Sequence, residues 1–231
     1  MARIAVVPAR SGSKRIPGKN VRDFAGRPML TWGIRAAVES GLFDDIVIST
    51  DDPAIAEVAV SAGARAPFAR PAELADDHTG IVPVMAHAAR ALGFTGHDDS
   101  LCCLYATAPF ISASDLSQGL RLLEGGDWEY VVAAVEFHAP IQRAFASGVR
   151  GEIQMVQPDS YSVRSQDLES HYHDAGQWCW GRAASWLGEH PMLGPHSTYV
   201  ALPAWRAVDI DTEEDWARAE MIGKPGGLLP E

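Results

Sequence analysis

The sequence predicts an α/β protein with a mostly parallel sheet and helices on both faces of that sheet. Short apolar runs alternate with helical segments at the spacing of β-α-β units over residues 1–135. The first apolar run leads directly into a loop rich in basic residues and glycine, at the end of the sheet where such folds bind ligands. With 47% hydrophobic and 21% charged residues in a chain of 231, the composition is typical of a globular protein with a substantial core.

Turn residues and apolar periodicity give the boundaries of each element. Proline suits the first turn of a helix and glycine its end, so Pro28 and Gly41 bracket the first helix around an apolar stripe. The predicted strands are residues 3–8, 45–49, 101–104 and 204–210. The predicted helices are residues 28–41, 53–63, 79–92, 112–124 and 212–222.

The length favours a single domain with an insertion. Residues 1–222 are predicted to form that domain, because the alternation of strand and helix resumes at the end of this range. From about residue 131 to 180 the pattern changes to short strand-like pieces separated by glycines, which indicates an inserted β-rich lobe. The remaining residues, 223–231, are rich in Gly and Pro and are expected to form a flexible tail.

Charge and hydropathy exclude several classes of protein. A formal net charge of −11 argues against nucleic acid as a partner, since phosphate neutralisation requires a basic field. Every apolar run is shorter than the roughly 18 residues that cross a bilayer, so we expect no membrane partner and a cytoplasmic location. Three cysteines cannot form a disulfide framework, and Cys102 and Cys103 lie within an apolar run that predicts a buried strand.

The basic residues are concentrated near the N-terminus. Six of the 19 Lys and Arg residues lie between Arg10 and Arg27, opposed only by Asp23. The loop of residues 8–20 offers backbone N–H groups, two glycines and four cations, which together suit a polyphosphate. It is not a Walker A loop, because its glycine spacing is longer by one residue and Asn20 replaces the magnesium-binding Ser or Thr. The alternative interpretation is a solvated basic loop.

An acidic pair near the C-terminus predicts a cation site. Asp209 and Asp211 follow an apolar run, and the alternation of side chains along a strand would place both carboxylates on one face. Two such acids repel each other unless a cation joins them, and oxygen ligands beside a triphosphate suit Mg²⁺. The alternative is that Asp211 or Thr212 only caps the helix that begins at Glu213.

Four segments together resemble the acylneuraminate cytidylyltransferase family, whose members activate nonulosonic acids as CMP-sugars. They are residues 8–20, 49–52, 70–75 and 209–216. The resemblance covers nearly the whole chain. It implies a Rossmann-like nucleotide-diphospho-sugar transferase fold, with the inserted β-rich lobe serving sugar binding and dimerisation. The implied partners are CTP, a nonulosonic acid and a second copy of the chain, and the implied cofactor is Mg²⁺.

The resemblance also assigns roles to individual residues. It implies that Arg10 and Lys19 hold the CTP phosphates, that Asn20 and Arg70 contact the nucleoside, and that the acidic pair binds the metal. The catalytic set is Arg10, Lys19, Asp209 and Asp211. The nucleotide-binding set is Ala9, Arg10, Ser11, Gly12, Lys19, Asn20, Arg70 and Asp77.

Two departures from the usual sialic acid pattern look like the pseudaminic acid branch of the family. Tyr105 replaces the expected polar sugar contact after the third strand, and the asparagine-glycine element of the sugar region is changed over residues 172–178. Upstream, an arginine in the retained basic-polar element could grip the sugar carboxylate. The predicted substrate-binding residues are Tyr105, Arg164, Gln166, Tyr172, His173 and Gln177.

Two further patterns in the sugar region have competing interpretations. One of Trp178 and Trp180 is expected to face the sugar, whereas the alternative places both tryptophans in the core or in a dimer contact. His171 and His173 could be metal ligands, but no third ligand has zinc spacing. His173 is therefore expected to donate a hydrogen bond to the sugar.

The implied reaction is attack of the sugar's anomeric hydroxyl on the α-phosphorus of CTP, with release of pyrophosphate. The product would serve glycosylation of surface glycans or flagellin. Alternatives within the family are synthesis of CMP-N-acetylneuraminate or CMP-legionaminate, and a 3-deoxy-octulosonate enzyme is disfavoured by the first loop. The alternative outside enzymes is a non-catalytic nucleotide-binding protein of the same fold, for which the acidic pair would be unnecessary.

Overall fold

The computed structural model describes residues 1–96 and 99–223. Its strands are β1 (Arg3–Pro8), β2 (Asp23–Phe24), β3 (Arg27–Pro28), β4 (Asp45–Ser49), β5 (Ser100–Leu104), β6 (Tyr130–Glu136), β7 (Phe145–Ser147), β8 (Ile153–Met155), β9 (Tyr172–Arg182) and β10 (Ser197–Ala201). Its helices are α1 (Met29–Ser40), α2 (Pro53–Ser61), α3 (Ile81–Ala91), α4 (Ala113–Gly125), α5 (Ala183–Leu187) and α6 (Glu213–Ile222).

A six-stranded sheet in the order β10-β6-β9-β5-β1-β4 forms the centre of the molecule. β1 pairs in parallel with β4 and β5, and β10 pairs in parallel with β6. β9 runs antiparallel to both of its neighbours, β5 and β6. The prediction of a mostly parallel α/β sheet is therefore confirmed. β1 lies between two parallel neighbours, so the loop that follows it opens at an edge where several strands end together.

Both faces of the sheet are covered, as the predicted alternation of strand and helix requires. Along β1, Ala5 and Val7 pack in one hydrophobic cluster with residues of α1, α2 and α4. The alternate residues, Ile4 and Val6, pack in a second cluster with residues of α3 and α5. Successive side chains of a strand point to opposite faces, so the two clusters lie on opposite sides of the sheet.

Local signals set the ends of the helices. The Asp52 side chain accepts from the Ala54 N–H ahead of α2, with proline in the first turn, and Ser112 caps α4 in the same manner. α1 ends at Gly41, which has a φ of 62° and supplies the left-handed conformation that closes the helix. α6 begins with a capping box made by Thr212 and Asp215.

The predicted strand at residues 204–210 is wrong. Ala204–Arg206 is a turn of 3-10 helix, and residues 207–211 pair with no strand. The apolar alternation there arises because Val208 and Ile210 pack into a third hydrophobic cluster with the β2–β3 hairpin and α6. The strand in this part of the chain is β10, whose edge position beside β6 leaves Tyr199 exposed and weakens its apolar pattern.

The inserted lobe also differs in extent from the range predicted at about residues 131–180. β6 and β9, at its two ends, are strands of the central sheet, so only residues 137–171 lie outside that sheet. This segment holds the antiparallel pair β7 and β8 together with three 3-10 helices. Of the predicted tail, only Gly223 lies within the described residues.

Two other features raised by the sequence are the state of the cysteines and the presence of membrane-spanning helices. Cys102, Cys103 and Cys179 are free and buried, which confirms the structural interpretation of the cysteine pair. Across residues 1–96 and 99–223, no helix combines the length and the apolar character needed to cross a membrane.

Trp178 and Trp180 both belong to the core, so the expectation that one of them faces the sugar is wrong. Both side chains are fully buried and pack on the α4 side of β9. They occupy alternate positions of one strand and therefore share a face. Gly119 of α4 makes this packing possible: a Cβ atom at that position would lie 2.6 Å from atoms of Trp178 and 2.8 Å from Trp180.

We expect Gly119→Ala to destabilise the fold by about 1–3 kcal/mol or more, because overpacking forces the tryptophans or the helix to shift. Gly125→Ala is the matched control on the same helix, since a Cβ at Gly125 would meet no atom within 4 Å. There the helix propensity of alanine should leave stability unchanged or raise it by up to about 1 kcal/mol. Urea unfolding measures both variants, and equal stabilities would contradict the close packing.

Candidate functional site

A cleft of about 560 Å³ lies where β1 and β5 end. The loop after β1 forms one wall, the start of α3 forms another, and the segment after β5 closes the base. The residues around the opening are mainly polar and basic, whereas Ile81, Val84 and Ala106 give it an apolar side. The cleft is lined by Pro8, Arg10, Ser13, Lys14, Arg15, Lys19, Asn20, Arg70, Asp77, Thr79, Gly80, Ile81, Val84, Tyr105, Ala106, Thr107 and Asp211.

Hydrogen bonds within the chain fix the basic loop. The backbone N–H and hydroxyl of Ser11 both donate to Asp51, over 3.1 and 2.7 Å. The buried amide of Asn20 donates to the backbone carbonyl of Arg10 over 2.9 Å. The N–H of Ala9 donates to Ser49 O at the end of β4. Ser11 and Gly12 are exposed on the outside of the loop and do not line the cleft.

Arg70 is a buried cation at the wall of the cleft. Its guanidinium donates to the carbonyl and to the hydroxyl of Ser49, and its backbone N–H donates to Thr50 O. Burial lowers the pKa of Arg70 to about 10, and the nearby Asp51 carboxylate opposes that shift. The guanidinium therefore stays charged at neutral pH. These bonds give a physical role to two of the four marker segments, 49–52 and 70–75.

Four loop cations are held by two carboxylates. Asp77 accepts from Arg10 and Lys14, each over 2.5 Å. Asp211 accepts from Arg15 over 2.9 Å and from Lys19 over 3.3 Å. Lys14 and Arg10 together lower the pKa of Asp77 to about 2. A polyphosphate in this cleft would compete with both carboxylates for the same cations.

The acidic pair lies on one side of its segment, although the segment is not a strand. Val208 and Ile210 are buried, so the alternate residues Asp209 and Asp211 point away from that cluster. The ammonium of Lys19 donates to Ile210 O over 2.5 Å and ties the pair to the basic loop. Thr212 forms the helix cap, so the alternative role of Asp211 as the cap is excluded.

The charges around the pair fit a cation. Desolvation raises the pKa of Asp209, and the neighbouring negative charge of Asp211 adds to that rise. Burial and then the charge of Asp209 raise the pKa of Asp174. Within the part of the chain that the structure describes, Asp209 has no hydrogen-bond or ion-pair partner, and no three His, Cys, Asp or Glu residues form a complete metal site. Carboxylate oxygens suit Mg²⁺, with phosphate and water as further ligands.

Of the predicted sugar contacts, the structure brings Tyr105 into the cleft and places the others elsewhere. Arg164 pairs with Asp167 on the surface, and Gln166 lines a separate hollow in the inserted segment. Tyr172 packs on Tyr199, His173 packs on Phe137, and the side chain of Gln177 is buried. These residues do not meet the basic loop within one chain.

The cleft contains residues that sequence reasoning missed. Lys14 and Arg15 belong to the basic run but were not assigned a role, although their positions between Arg10 and Lys19 could have suggested one. Asp51 lies in a marker segment, and its bond to the loop explains its presence there. Thr79 precedes α3 and carries no signal in the sequence beyond that position.

Comparison with known proteins identifies the family. The sequence profile described as Cytidylyltransferase matches residues 4–147, which include β1 and the basic loop. The chain belongs to this cytidylyltransferase family. It is 40% identical over 225 residues to a pseudaminic acid cytidylyltransferase of Campylobacter jejuni, covering 97% of each protein. It is 28% identical over 234 residues to the CMP-N,N'-diacetyllegionaminic acid synthase of Legionella pneumophila, covering 95% of each.

A solved structure supports the fold of this cytidylyltransferase. CMP:2-keto-3-deoxy-manno-octonic acid synthetase in complex with CTP superposes with a TM-score of 0.68 at 17% identity, covering 97% of this chain and 100% of that one. The resemblance inferred from the four marker segments is confirmed, and so is the fold class.

Asp211 forms ion pairs with Arg15 and Lys19, whereas Asp209 forms none among the described residues, and this difference can be tested without substrate. Because the pKa of Asp209 is raised in the folded protein, ionising this carboxyl lowers the free energy of unfolding at pH values above the usual pKa of an aspartate. Without Mg²⁺, Asp209→Asn should therefore raise the melting temperature at pH 7, and the gain should vanish as the pH falls through that range. The gain should be below about 1 kcal/mol because solvent screens the pair.

Asp211→Asn is the matched control for this test. It removes a carboxylate that accepts from Arg15 and Lys19, so the same measurement at pH 7 should show a lower melting temperature. A lower melting temperature for Asp209→Asn as well would contradict the inferred cost of ionising Asp209, which arises from desolvation and from the charge of Asp211.

Proposed function

We propose that this cytidylyltransferase transfers CMP from CTP to the anomeric hydroxyl of pseudaminic acid and releases pyrophosphate. The observation that carries the reaction type is the cleft in which four loop cations pair with the carboxylates Asp77 and Asp211. The observation that favours this sugar is the 40% identity, over 97% of both chains, to a pseudaminic acid cytidylyltransferase.

The proposed reaction depends on aligning the sugar oxygen with the α-phosphorus and on stabilising negative charge on the phosphates, more than on a reactive side chain. The sugar oxygen forms a bond to the α-phosphorus in line with the bond that breaks to pyrophosphate. Arg10 and Lys19 hold the phosphates and oppose the charge that builds on them in the transition state. To do so, both cations exchange the carboxylates Asp77 and Asp211 for phosphate oxygens. Asn20 and Arg70 shape the nucleoside side of the cleft through their bonds to the loop and to β4.

Asp209 and Asp211 would hold a divalent cation beside the phosphates. Mg²⁺ held by these two residues would supply the phosphates with positive charge in addition to that of the loop cations. Its charge would also favour the ionised form of Asp209, whose pKa is raised first by desolvation and then by the charge of Asp211. Asp211 is released for this role when Arg15 and Lys19 turn to the phosphates.

The sugar site combines Tyr105 with the apolar side of the cleft. Burial raises the pKa of Tyr105, so its hydroxyl stays protonated and can donate to the sugar. Ile81 and Val84 supply apolar surface nearby. Pseudaminic acid has a methyl terminus and a second acylamino group where N-acetylneuraminate has a hydroxylated tail. A site of this kind leaves the extra hydroxyls of N-acetylneuraminate without partners.

A substrate panel tests the reaction and the sugar separately. With CTP and Mg²⁺, pseudaminic acid should be used with a kcat/KM at least a hundredfold above that for N-acetylneuraminate, because each unpaired hydroxyl costs about 1–3 kcal/mol. Pyrophosphate release is the measurement, and N,N'-diacetyllegionaminic acid completes the panel. Equal use of all three acids would contradict the sugar assignment only. No pyrophosphate with any acid would favour a non-catalytic nucleotide-binding protein.

Variants of the loop and of the acidic pair test the assigned roles. Lys19→Ala and Asp211→Ala should each lower kcat by two to three decades, since each removes charge from the transition state. Lys14→Ala is the control within the same loop, because that side chain is 81% exposed whereas Lys19 is 16% exposed. It should lower kcat less than tenfold. Asp211→Ala with more than a tenth of the wild-type rate would count against metal binding by that residue.

We also propose that the protein is a homodimer joined through the inserted segment. β7 and β8 carry exposed apolar side chains, among them Phe145 at 61% and Ile153 at 68% exposure. Together with Tyr161 they surround a hollow of about 310 Å³. The predicted sugar contacts Arg164 and Gln166 lie on the same segment, so a second copy could bring them to the cleft of the first.

Sedimentation tests this assembly. The protein should sediment as a dimer at micromolar concentration, and Phe145→Glu should shift it towards the 24.9 kDa monomer. Val60→Glu, which changes an exposed valine on α2, should leave the dimer intact. A monomeric wild-type protein at this concentration would rule the assembly out.

A further inference from the structure

The pairing of strand β9 with β6 shifts register beside the acidic pair. Val132 of β6 pairs with Cys179, whereas Ala134 pairs with Asp174, so residues 175–178 of β9 lie opposite the single residue Ala133. Such a bulge bends a strand and redirects its side chains, and bulges of this kind are frequent next to active sites. Here it brings two consecutive residues of β9 against the segment that carries Asp209 and Asp211.

Gly176 lies at the bulge with a φ of 63°, which is the left-handed conformation that favours glycine. Its N–H donates to the carboxylate of Asp174 over 2.8 Å. A Cβ built on Gly176 would lie 4.0 Å from the carboxylate of Asp209, so the backbone of β9 and that carboxylate are direct neighbours. The backbone of β9 at Gly176 therefore limits where the carboxylate of Asp209 can lie.

The next residue holds the acidic segment itself. Gln177 is 2% exposed, and its amide donates to the backbone carbonyl of Arg206 over 2.6 Å. The carbonyl of Gln177 accepts from the N–H of Tyr105 over 2.9 Å, which ties the same residue to the base of the cleft. Gln177 therefore links Tyr105, at the base of the cleft, to Arg206, which directly precedes the acidic segment.

A buried ion pair secures that starting point from the other side. The guanidinium of Arg206 donates to both carboxylate oxygens of Asp115, over 2.7 and 3.1 Å, and Ser112 also donates to Asp115. Both partners of the ion pair are largely buried, and Asp115 lies in the first turn of α4. Residues 207–211 have no sheet hydrogen bonds, so these side chains replace the ladder that would fix a strand.

We propose that Gln177, with the Arg206–Asp115 ion pair, is a positioning residue that sets the distance between the acidic pair and the basic loop. This inference rests on the proposed function of Asp209 and Asp211 as cation ligands. Lys19 holds the far end of the segment through Ile210 O, and Gln177 holds the near end through Arg206 O. Ligand groups must be held within about half an ångström to bind a cation well. This role differs from the predicted contact between Gln177 and the sugar. The side chain of Gln177 is buried and does not line the cleft.

Gln177→Met tests this role, because methionine keeps the length of the side chain and removes the donor. Binding of Mn²⁺ in the presence of CTP, measured by electron paramagnetic resonance, should weaken at least tenfold, as expected when an outer partner of a metal ligand is lost. Hydrogen exchange of residues 204–212 should speed up without metal. The affinity for CTP alone should change less than threefold. In turnover, the Mg²⁺ concentration required should rise while the KM for the sugar acid stays constant.

Gln142→Met is the matched control. Gln142 is also a buried glutamine whose amide donates to a backbone carbonyl, that of Glu169, but it lies in the inserted segment. It should lower thermal stability by a similar amount and leave Mn²⁺ binding within twofold of wild type. If Gln177→Met does not fold, Asp115→Asn provides the second variant, and it should weaken Mn²⁺ binding in the same way.

The outcomes separate this inference from the proposed function. Unchanged Mn²⁺ affinity together with unchanged exchange of residues 204–212 in Gln177→Met would overturn the positioning role. A raised KM for the sugar acid alone would also overturn it and would make Gln177 a sugar contact. If wild-type protein binds Mn²⁺ with CTP but uses no nonulosonic acid, the proposed function fails while the Mn²⁺ and exchange measurements still decide the role of Gln177.

Discussion

The contact between Lys19 and the backbone of Ile210 joins two ends of the chain, and the site depends on it. The ammonium lies between the two walls of the cleft: it donates to Ile210 O and pairs with Asp211, 192 residues further along the sequence. Basic residues of the loop would otherwise repel one another, and so would the two acids. Bringing the two groups together pairs Arg15 and Lys19 with Asp211, which reduces the repulsion within each group. The same arrangement places the loop cations opposite carboxylate oxygens, which is the charge pattern that the proposed reaction requires.

The fold makes this contact possible in two ways. β1 lies inside the parallel part of the sheet, so the basic loop leaves it at an edge already lined by the ends of β4 and β5. The third hydrophobic cluster then anchors the acidic segment, because Val208 and Ile210 pack against the β2–β3 hairpin that directly follows the loop. The apolar contacts determine where the segment lies. The charged contacts then determine which atoms face each other across the cleft.

The sequence predicts the regular part of this arrangement well and the irregular part poorly. β1, β4 and the five predicted helices have strong local signals and their positions are confirmed, whereas the short helix α5 is not predicted. Residues 204–210 mimic a strand because Val208 and Ile210 alternate with polar residues while packing on a helix and a hairpin. The inference that Asp209 and Asp211 share one side survives because it depends on alternating burial and not on sheet pairing. The bulge at Gly176 has no local signal, since only the register of β6 against β9 creates it.

The acidic segment is held in place without the backbone ladder of a strand. In a strand, ladder hydrogen bonds would fix the backbone of Asp209 and Asp211. Here that backbone is fixed by contacts at the ends of the segment and by the packing of Val208 and Ile210. Outside the sheet, the cost of ionising Asp209, which comes from desolvation and then from the charge of Asp211, falls on a segment that has no ladder to disrupt. A segment of this kind still needs fixed ends, or its carboxylates would drift from the basic loop. That requirement accounts for a buried glutamine and a buried ion pair at one end and for a lysine bound to a backbone carbonyl at the other.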